Sequence, residues 1–355
     1  MKALVLSGGA GTRLRPFSYS MPKQLVPIAN KPVLAHVLQN IKNLGVREIG
    51  VIVGDWAPEI ADVMGDGAQC GTRVTYIRQD HPRGLAHCVE IARDFLGDDD
   101  FLMYLGDNML PDGITSIAEE FTANRPTAQV VVHKVPDPRA FGVVELDADG
   151  KVERLVEKPQ QPRSDLALIG VYFFTPAIHE AVAAIEPSAR GELEITDAIQ
   201  WLVANGADVR ASEYDGYWKD TGNVDDVLEC NRHLLDRLDA HLAGDVDDAS
   251  EVDDQVVIGA GARIVRSRIQ GPVIVGENTV VEDCEIGPYT SIGRDCVLRA
   301  SAVSDSIVLD RARISRVQGL RSSLIGRDAT VGTGDWTAPH HRLVVGDFTR
   351  VEVAA

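Results

Sequence analysis

From Met1 to Arg47 the chain contains no aspartate and no glutamate, yet the 355-residue protein carries a formal net charge of −18. The same stretch holds seven cations: Lys2, Arg13, Arg15, Lys23, Lys31, Lys42 and Arg47. An acid-free opening on an acidic protein implies a local anion site, not a generally adhesive surface. The overall charge excludes nucleic acid and anionic membrane as main partners. No apolar run approaches membrane-spanning length. Lys2 leads straight into a short apolar run with no cleavage-like pattern, so no signal peptide is expected. Cysteine is scarce. Cys70, Cys88, Cys230, Cys284 and Cys296 are scattered, odd in number and without C-x-x-C spacing. That excludes a disulfide framework or a zinc site and fits small core residues in a reducing cytoplasm.

Two familiar phosphate loops are also missing. Ala3-Leu4-Val5-Leu6 runs into Gly8-Gly9-Ala10-Gly11-Thr12-Arg13-Leu14. No Gly-Lys-Ser/Thr follows, so this is not a P-loop, and Leu14 stands where a dinucleotide fingerprint needs its third glycine. What remains is a strand ending in a glycine-rich loop. Glycines let successive N–H groups approach phosphate oxygens. Alone they fit a tight strand-to-helix turn equally well. With Arg13, Arg15 and Lys23 beside them, an anion site is expected.

The length suggests two domains, and 45% hydrophobic with 25% charged residues is a globular composition. Residues 1–240 alternate strand and helix signals. Strands are expected at Lys2–Leu6, Glu48–Val53, Val74–Ile77, Phe101–Leu105, Gln129–Val135 and Leu168–Phe174. Helices are expected at Val33–Leu44, Pro58–Met64, Gly84–Phe95 and Val224–Leu242. This pattern predicts an α/β domain, a Rossmann-like mostly parallel sheet covered by helices, with ligands at the carboxyl ends of its strands. Residues 241–255 are acidic and read as an exposed linker. From 256 to 355 apolar residues recur six apart (Ile258 and Ile264, Val275 and Val281, Ile286, Ile292 and Leu298), often followed by glycine. That period predicts a parallel β-helix. The register slips near Gln270 and Val281–Ile286, and an irregular run of strands stays open.

Leu105-Gly106-Asp107-Asn108 closes a buried strand. A carboxylate beside phosphates repels them unless a cation lies between, and Mg²⁺ is bound by one or two carboxylates plus phosphate oxygens. Asp220, in Trp218-Lys219-Asp220-Thr221-Gly222, is the second candidate ligand. Each aspartate alone reads equally as a turn residue. Glu157-Lys158-Pro159 offers a cation for a second phosphate and an acceptor for sugar hydroxyls, or a solvated turn pair. Gly191–Asp197 opens a helix, with Thr196 or Asp197 as its cap and Glu192 turned to the cleft. Gln79 carries both a donor and an acceptor for a base edge, and Gly84 allows close approach. His81 and His87 read as ordinary polar residues.

Taken together, these motifs resemble the sugar-1-phosphate nucleotidylyltransferases. The likeness covers residues 1 to about 235 and takes in Pro22-Lys23-Gln24-Leu25-Val26-Pro27 and Phe141-Gly142-Val143 as well. Gly84-Leu85-Ala86 and Glu192-Leu193-Glu194-Ile195-Thr196-Asp197 resemble the branch that joins dTTP to glucose 1-phosphate. The tail is similar to that branch's long form, with a left-handed β-helix, of the kind serving deoxysugars of streptomycin-type antibiotics. The resemblance implies that Leu6, Gly8, Gly9, Gly11, Thr12 and Arg13 hold the nucleotide phosphates and that Lys23 neutralises charge there. It implies that Gln79 and Gly84 bind the base, and that Asp107 and Asp220 hold Mg²⁺. Lys158 is implied to grip the sugar phosphate, with Gly142, Glu157, Val171 and Glu192 lining the sugar pocket. Arg13, Lys23 and Lys158 are the implied catalytic residues. UTP or another sugar phosphate remains an alternative substrate. A non-catalytic sensor or scaffold, and a second acyltransferase site in the tail, are the other readings. His340-His341 lies beyond the last clear repeat, and a structural or assembly role in a cytoplasmic homo-oligomer is expected for the tail.

Overall fold

The computed structural model describes residues 1–9, 11–68, 71–148 and 150–332. Ala10 of the glycine loop, Cys70, the His340-His341 pair and the rest of the tail after 332 lie outside the described residues. The chain forms two compact units. One holds residues up to 10 with 33–220; the other holds 11–32 with everything from 221 onward. The division therefore differs from the expected break near 240, and the basic segment 11–32 goes with the tail.

In the first unit the strands follow the order Val152–Glu157, Gly142–Leu146, Leu166–Phe174, Phe101–Leu105, Lys2–Leu6, Glu48–Val53, Arg73–Arg78. Lys2–Leu6 lies parallel to both Phe101–Leu105 and Glu48–Val53, which in turn pairs parallel with Arg73–Arg78. Leu166–Phe174 runs antiparallel and branches to Ala128–Lys134, which pairs parallel in turn with Val209–Glu213. The central strands are buried almost end to end, as strands covered on both faces require. Helix Val33–Asn43 buries Val33, Val37 and Ile41, as its spacing predicts, and Leu34 with them, while Leu38 and Leu44 are only half-buried. The expected helix 84–95 is broken at Ala92 into Leu85–Ile91 and Arg93–Leu96.

In the second unit, segment 11–32 forms short 3₁₀ turns and a small hairpin, Pro27–Ile28 against Lys31–Pro32. It is fastened by Asn231 of helix Val224–Leu235. The fully buried Asn231 accepts from the Ala29 amide at 2.9 Å and the Ser291 hydroxyl at 2.7 Å, and donates to the Tyr289 carbonyl at 3.2 Å. Asn30 donates to the Ile292 carbonyl at 2.6 Å, and Arg327 to that of Ser20 at 2.6 Å. The helix stops at Leu235, short of the expected 242. His241–Leu242, Asp245–Val246 and Glu251–Val252 instead pair parallel with the strands that follow. The acidic stretch is largely exposed as expected, but it is the first turn of the coil, not a linker.

The coil stacks three sheets of short parallel strands, placing Val256 against Val273 and Val273 against Thr290. This is the predicted β-helix. Its third side is shorter, which accounts for the slips near Gln270 and Ile286. Ile264, Ile269, Val275, Val281, Ile286, Ile292 and Leu298 fill its core. Cys88, Cys230, Cys284 and Cys296 are buried, as expected of small core residues.

Candidate active site

Two loops meet at the carboxyl end of the first unit's parallel strands. The Gly106 amide donates to the Leu6 carbonyl at 2.9 Å, and the Ser7 amide to that of Ile52 at 2.9 Å. The glycine loop and the Asp107 turn are thereby side by side. A Cβ on Gly8 would lie 3.1 Å from Gln79 Oε1, so that oxygen sits over the start of the loop. Gln79 is itself held at a strand end, its amide donating to the Val53 carbonyl at 2.8 Å.

Asp107 is only 8% exposed, and its Oδ1 accepts from Asn108 Nδ2 at 3.3 Å. Asn108 Oδ1 in turn accepts from Trp218 Nε1 at 2.7 Å. Lys219–Asp220 forms a short antiparallel pair with Asn108–Met109, which puts Asp220 opposite Asn108. Two carboxylates far apart in sequence thus end in adjacent register positions. Trp218 also meets the Phe141 ring edge-on at 5.4 Å, beside Gly142.

Glu157 stands opposite Gly142 in the antiparallel pair. Its Oε2 accepts from Thr196 Oγ1 at 3.3 Å. Its Oε1 draws two cations, Lys158 Nζ at 3.5 Å and Arg190 Nη1 at 3.4 Å. Arg190 also pairs with Glu192 at 3.2 Å and Glu194 at 3.3 Å. Burial raises the Glu194 carboxyl above its ordinary value. The Ser188 hydrogen bond and Arg190 oppose that rise, and Glu157 and Glu192 add to it. A groove of about 760 Å³ opens here, lined by Arg154, Glu157, Arg163, Arg190, Glu194 and Asp197 among others. Val171 is wholly buried.

Helix Ile195–Ala204 has Glu194 as its N-cap residue, so Thr196 and Asp197 sit inside the first turn and cap nothing. Thr196 instead serves Glu157. Arg190 escaped the sequence reading because it lies one residue before the Gly191–Asp197 stretch. The signal available was a lone arginine abutting three carboxylate-bearing positions.

Gly11, Thr12, Arg13 and Lys23 belong to the second unit. Gly11 takes a left-handed φ of 62° before the Thr12–Leu14 turn. Lys23 packs on it, with Lys23 Cβ 3.1 Å from where a Gly11 Cβ would stand. Arg13 is exposed. Only the 3₁₀ turn Thr12–Leu14 follows Gly11, and the first α-helix begins at Val33, so the simple strand-to-α-helix turn is not what forms.

Residues 2–237 match the Nucleotidyl transferase family, and residues 269–354 match the GMPPB C-terminal domain. The chain belongs to the nucleotidyl transferase family. This nucleotidyl transferase is 51% identical over 355 residues to a glucose-1-phosphate thymidylyltransferase of Streptomyces griseus, covering 100% of both chains. It is 53% identical to one of Streptomyces antibioticus, covering 99% of both. Among solved structures it is similar to a putative glucose-1-phosphate thymidylyltransferase of Bacillus anthracis, at 33% identity and a TM-score of 0.61, covering 65% of this chain and 94% of that one.

Nucleotidyl transferases generally depend on a divalent metal. Among the described residues no three His, Cys, Asp or Glu side chains gather into a cage. The neighbouring registers of Asp107 and Asp220 fit a hard cation of the Mg²⁺ type, which takes few protein ligands and completes its shell with phosphates and water. No helix among the described residues is long and apolar enough to cross a membrane.

Proposed function

We propose that this nucleotidyl transferase joins dTTP to α-D-glucose 1-phosphate, giving dTDP-glucose and pyrophosphate, in the supply of activated sugar for deoxysugar synthesis. The observation that carries the reading is the pairing of Gly106 with Leu6, which sets the glycine cradle beside Asp107 with Gln79 Oε1 above it. Full-length likeness to two thymidylyltransferases supports the choice of substrates.

The sugar-phosphate oxygen attacks the nucleotide α-phosphorus in line, and pyrophosphate leaves. A phosphate monoester is already ionised near neutral pH, so no general base is needed. The protein's task is to bring two anions together and neutralise them. In this reading Gly8, Gly9 and Gly11 present backbone amides to the phosphates, while Arg13 and Lys23 balance the departing pyrophosphate. Leu6 and Thr12 are assigned to the same phosphates. Lys158 and Arg190 grip the sugar phosphate, and Gly142, Glu157 and Glu192 border the sugar; Val171, also implied there by the resemblance, is wholly buried and presents no surface to it. Asp107 and Asp220 would hold Mg²⁺, which would supply neutralisation of the triphosphate charge.

The test is pyrophosphate release from glucose 1-phosphate and Mg²⁺ with dTTP, UTP, ATP, GTP and CTP in turn. Release with dTTP that vanishes without glucose 1-phosphate is expected. A clear preference for UTP would keep the chemistry and overturn the base assignment. Silence with every nucleotide and sugar phosphate would overturn the enzyme reading.

Lys158→Ala should raise KM for glucose 1-phosphate about 10- to 100-fold, the range for losing one charged hydrogen bond, with KM for dTTP nearly unchanged. Lys158 sits at the end of the strand, its amide donating to the Phe141 carbonyl at 3.0 Å, so truncating the side chain leaves the turn intact. Equal loss for both substrates in initial-rate kinetics would remove Lys158 from this role.

A further inference from the structure

Gln79 is the residue assigned to the base, and two groups hold its amide. Nε2 lies 3.0 Å from His87 Nδ1 and 3.3 Å from Cys88 Sγ. An amide nitrogen has two hydrogens and no free lone pair, so both neighbours must accept. Cys88 can do so, because its own hydrogen points to the Gly84 carbonyl at 3.6 Å. Burial pushes that thiol up to about 12, keeping it a thiol. His87 can accept at Nδ1 when its ring is neutral with the proton on Nε2. Burial draws the imidazole below its ordinary value; Glu90 opposes this and Arg83 adds to it.

With the nitrogen end fixed, the oxygen end is fixed too. Oε1 points over Gly8, where it can only accept. Thymine and uracil carry a proton on the ring nitrogen N3 and match an acceptor. Cytosine carries a lone pair there and meets it with repulsion. A glutamine free to turn about its last bond could serve either base. Here turning would demand the other His87 tautomer and would draw the Cys88 hydrogen off the Gly84 carbonyl.

We propose that His87 is a specificity-positioning residue: by taking one amide hydrogen of Gln79 it locks the glutamine as an acceptor and selects a pyrimidine with a protonated N3. The proposal rests on Gln79 reading the base, and it gives His87, ordinary by sequence, a defined task. His87 touches neither phosphate in this scheme and acts only through Gln79.

The experiment compares His87→Ala, which suits a helix position, with His87→Asn, which keeps an acceptor near the place of Nδ1. Glucose 1-phosphate is held saturating, and kcat/KM is measured for dTTP and dCTP. In His87→Ala the dTTP-over-dCTP ratio should fall about tenfold, as expected for loss of one orienting hydrogen bond. The change should lie in KM for the nucleotide, with kcat at saturating dTTP and KM for glucose 1-phosphate held. His87→Asn should restore most of the ratio. A merely structural role would lower both nucleotides together and leave the ratio alone. An unchanged ratio in His87→Ala, or an equal fall in both variants, would overturn the proposal. His87→Leu gives the same reading if His87→Ala does not fold. Failure of the unaltered enzyme to use dTTP would overturn the parent reading and this one with it. Normal dTTP use with an unaffected ratio overturns this one alone.

Discussion

Asp107→Asn should lower kcat on the order of 100- to 1000-fold, about 3–4 kcal/mol of transition-state stabilisation. The change removes one negative charge and almost no volume. Asn at this position can still accept from Asn108 Nδ2, so the Asn108–Trp218 chain behind it should survive. The neighbouring Asp220–Asn108 pairing is a backbone arrangement and does not depend on the charge. Thermal unfolding should therefore move little, while activity collapses. Raising Mg²⁺ should recover part of the loss, because the site keeps Asp220 and the substrate phosphates as ligands. The checks are initial rates across a Mg²⁺ titration and a melting curve on the same preparation. Near-normal kcat at ordinary Mg²⁺ would take Asp107 out of the metal site. A large fall in melting temperature would make it a structural carboxylate.

The elements that set this site were readable because their burial is simple. Ala3–Leu6 and Phe101–Leu105 are runs of apolar residues between turn residues, and such runs become central strands whatever surrounds them. The β-helix was readable for the same reason, since one apolar residue per side must point inward. What stayed hidden depends on distant partners. The basic segment 11–32 looks like the continuation of the glycine loop, yet Ala29 is hydrogen-bonded to Asn231 and Asn30 to the backbone at Ile292. No local pattern announces a bond across such separations. The linker reading of 241–255 failed because polar composition says that side chains are exposed, not that the backbone is unpaired. Those residues are exposed and still lie in parallel ladders. Thr196 was misread as a cap because the cap falls two residues earlier, at Glu194, and capping rules turn on a single position. Arg190 was missed because it lies just outside the Gly191–Asp197 stretch, and its three carboxylate partners are gathered only by the fold; His87 was passed over because it acts through another side chain.

Gly84→Ala should be strongly destabilising. Gly84 has φ 101° and ψ 170°, a region open to glycine and closed to side chains. A Cβ there would lie 2.3 Å from the Leu193 carbonyl oxygen and 2.7 Å from its nitrogen. These are backbone atoms, so no rotamer change relieves the clash. The same backbone is clasped on both sides: the Leu193 amide donates to Arg83 at 2.7 Å, and its carbonyl accepts from the Ala86 amide at 3.0 Å. Adding the methyl group forces the turn and the loop apart and breaks this clasp. Strain and two lost hydrogen bonds together amount to about 3–5 kcal/mol, or a fall in melting temperature of about 10 °C. The functional consequence is specific. The turn leads to Gln79's partners His87 and Cys88, and the loop carries Glu192. KM should therefore rise for the nucleotide and the sugar phosphate together, unlike the one-sided effect of Lys158→Ala. Gly206→Ala is the control. Its φ is 76°, but nothing stands within 4 Å of the new Cβ, so it should cost only the backbone penalty of about 1–2 kcal/mol. If calorimetry finds Gly84→Ala no worse than Gly206→Ala, the clasp yields freely and does not join the base-side turn to the sugar-side loop.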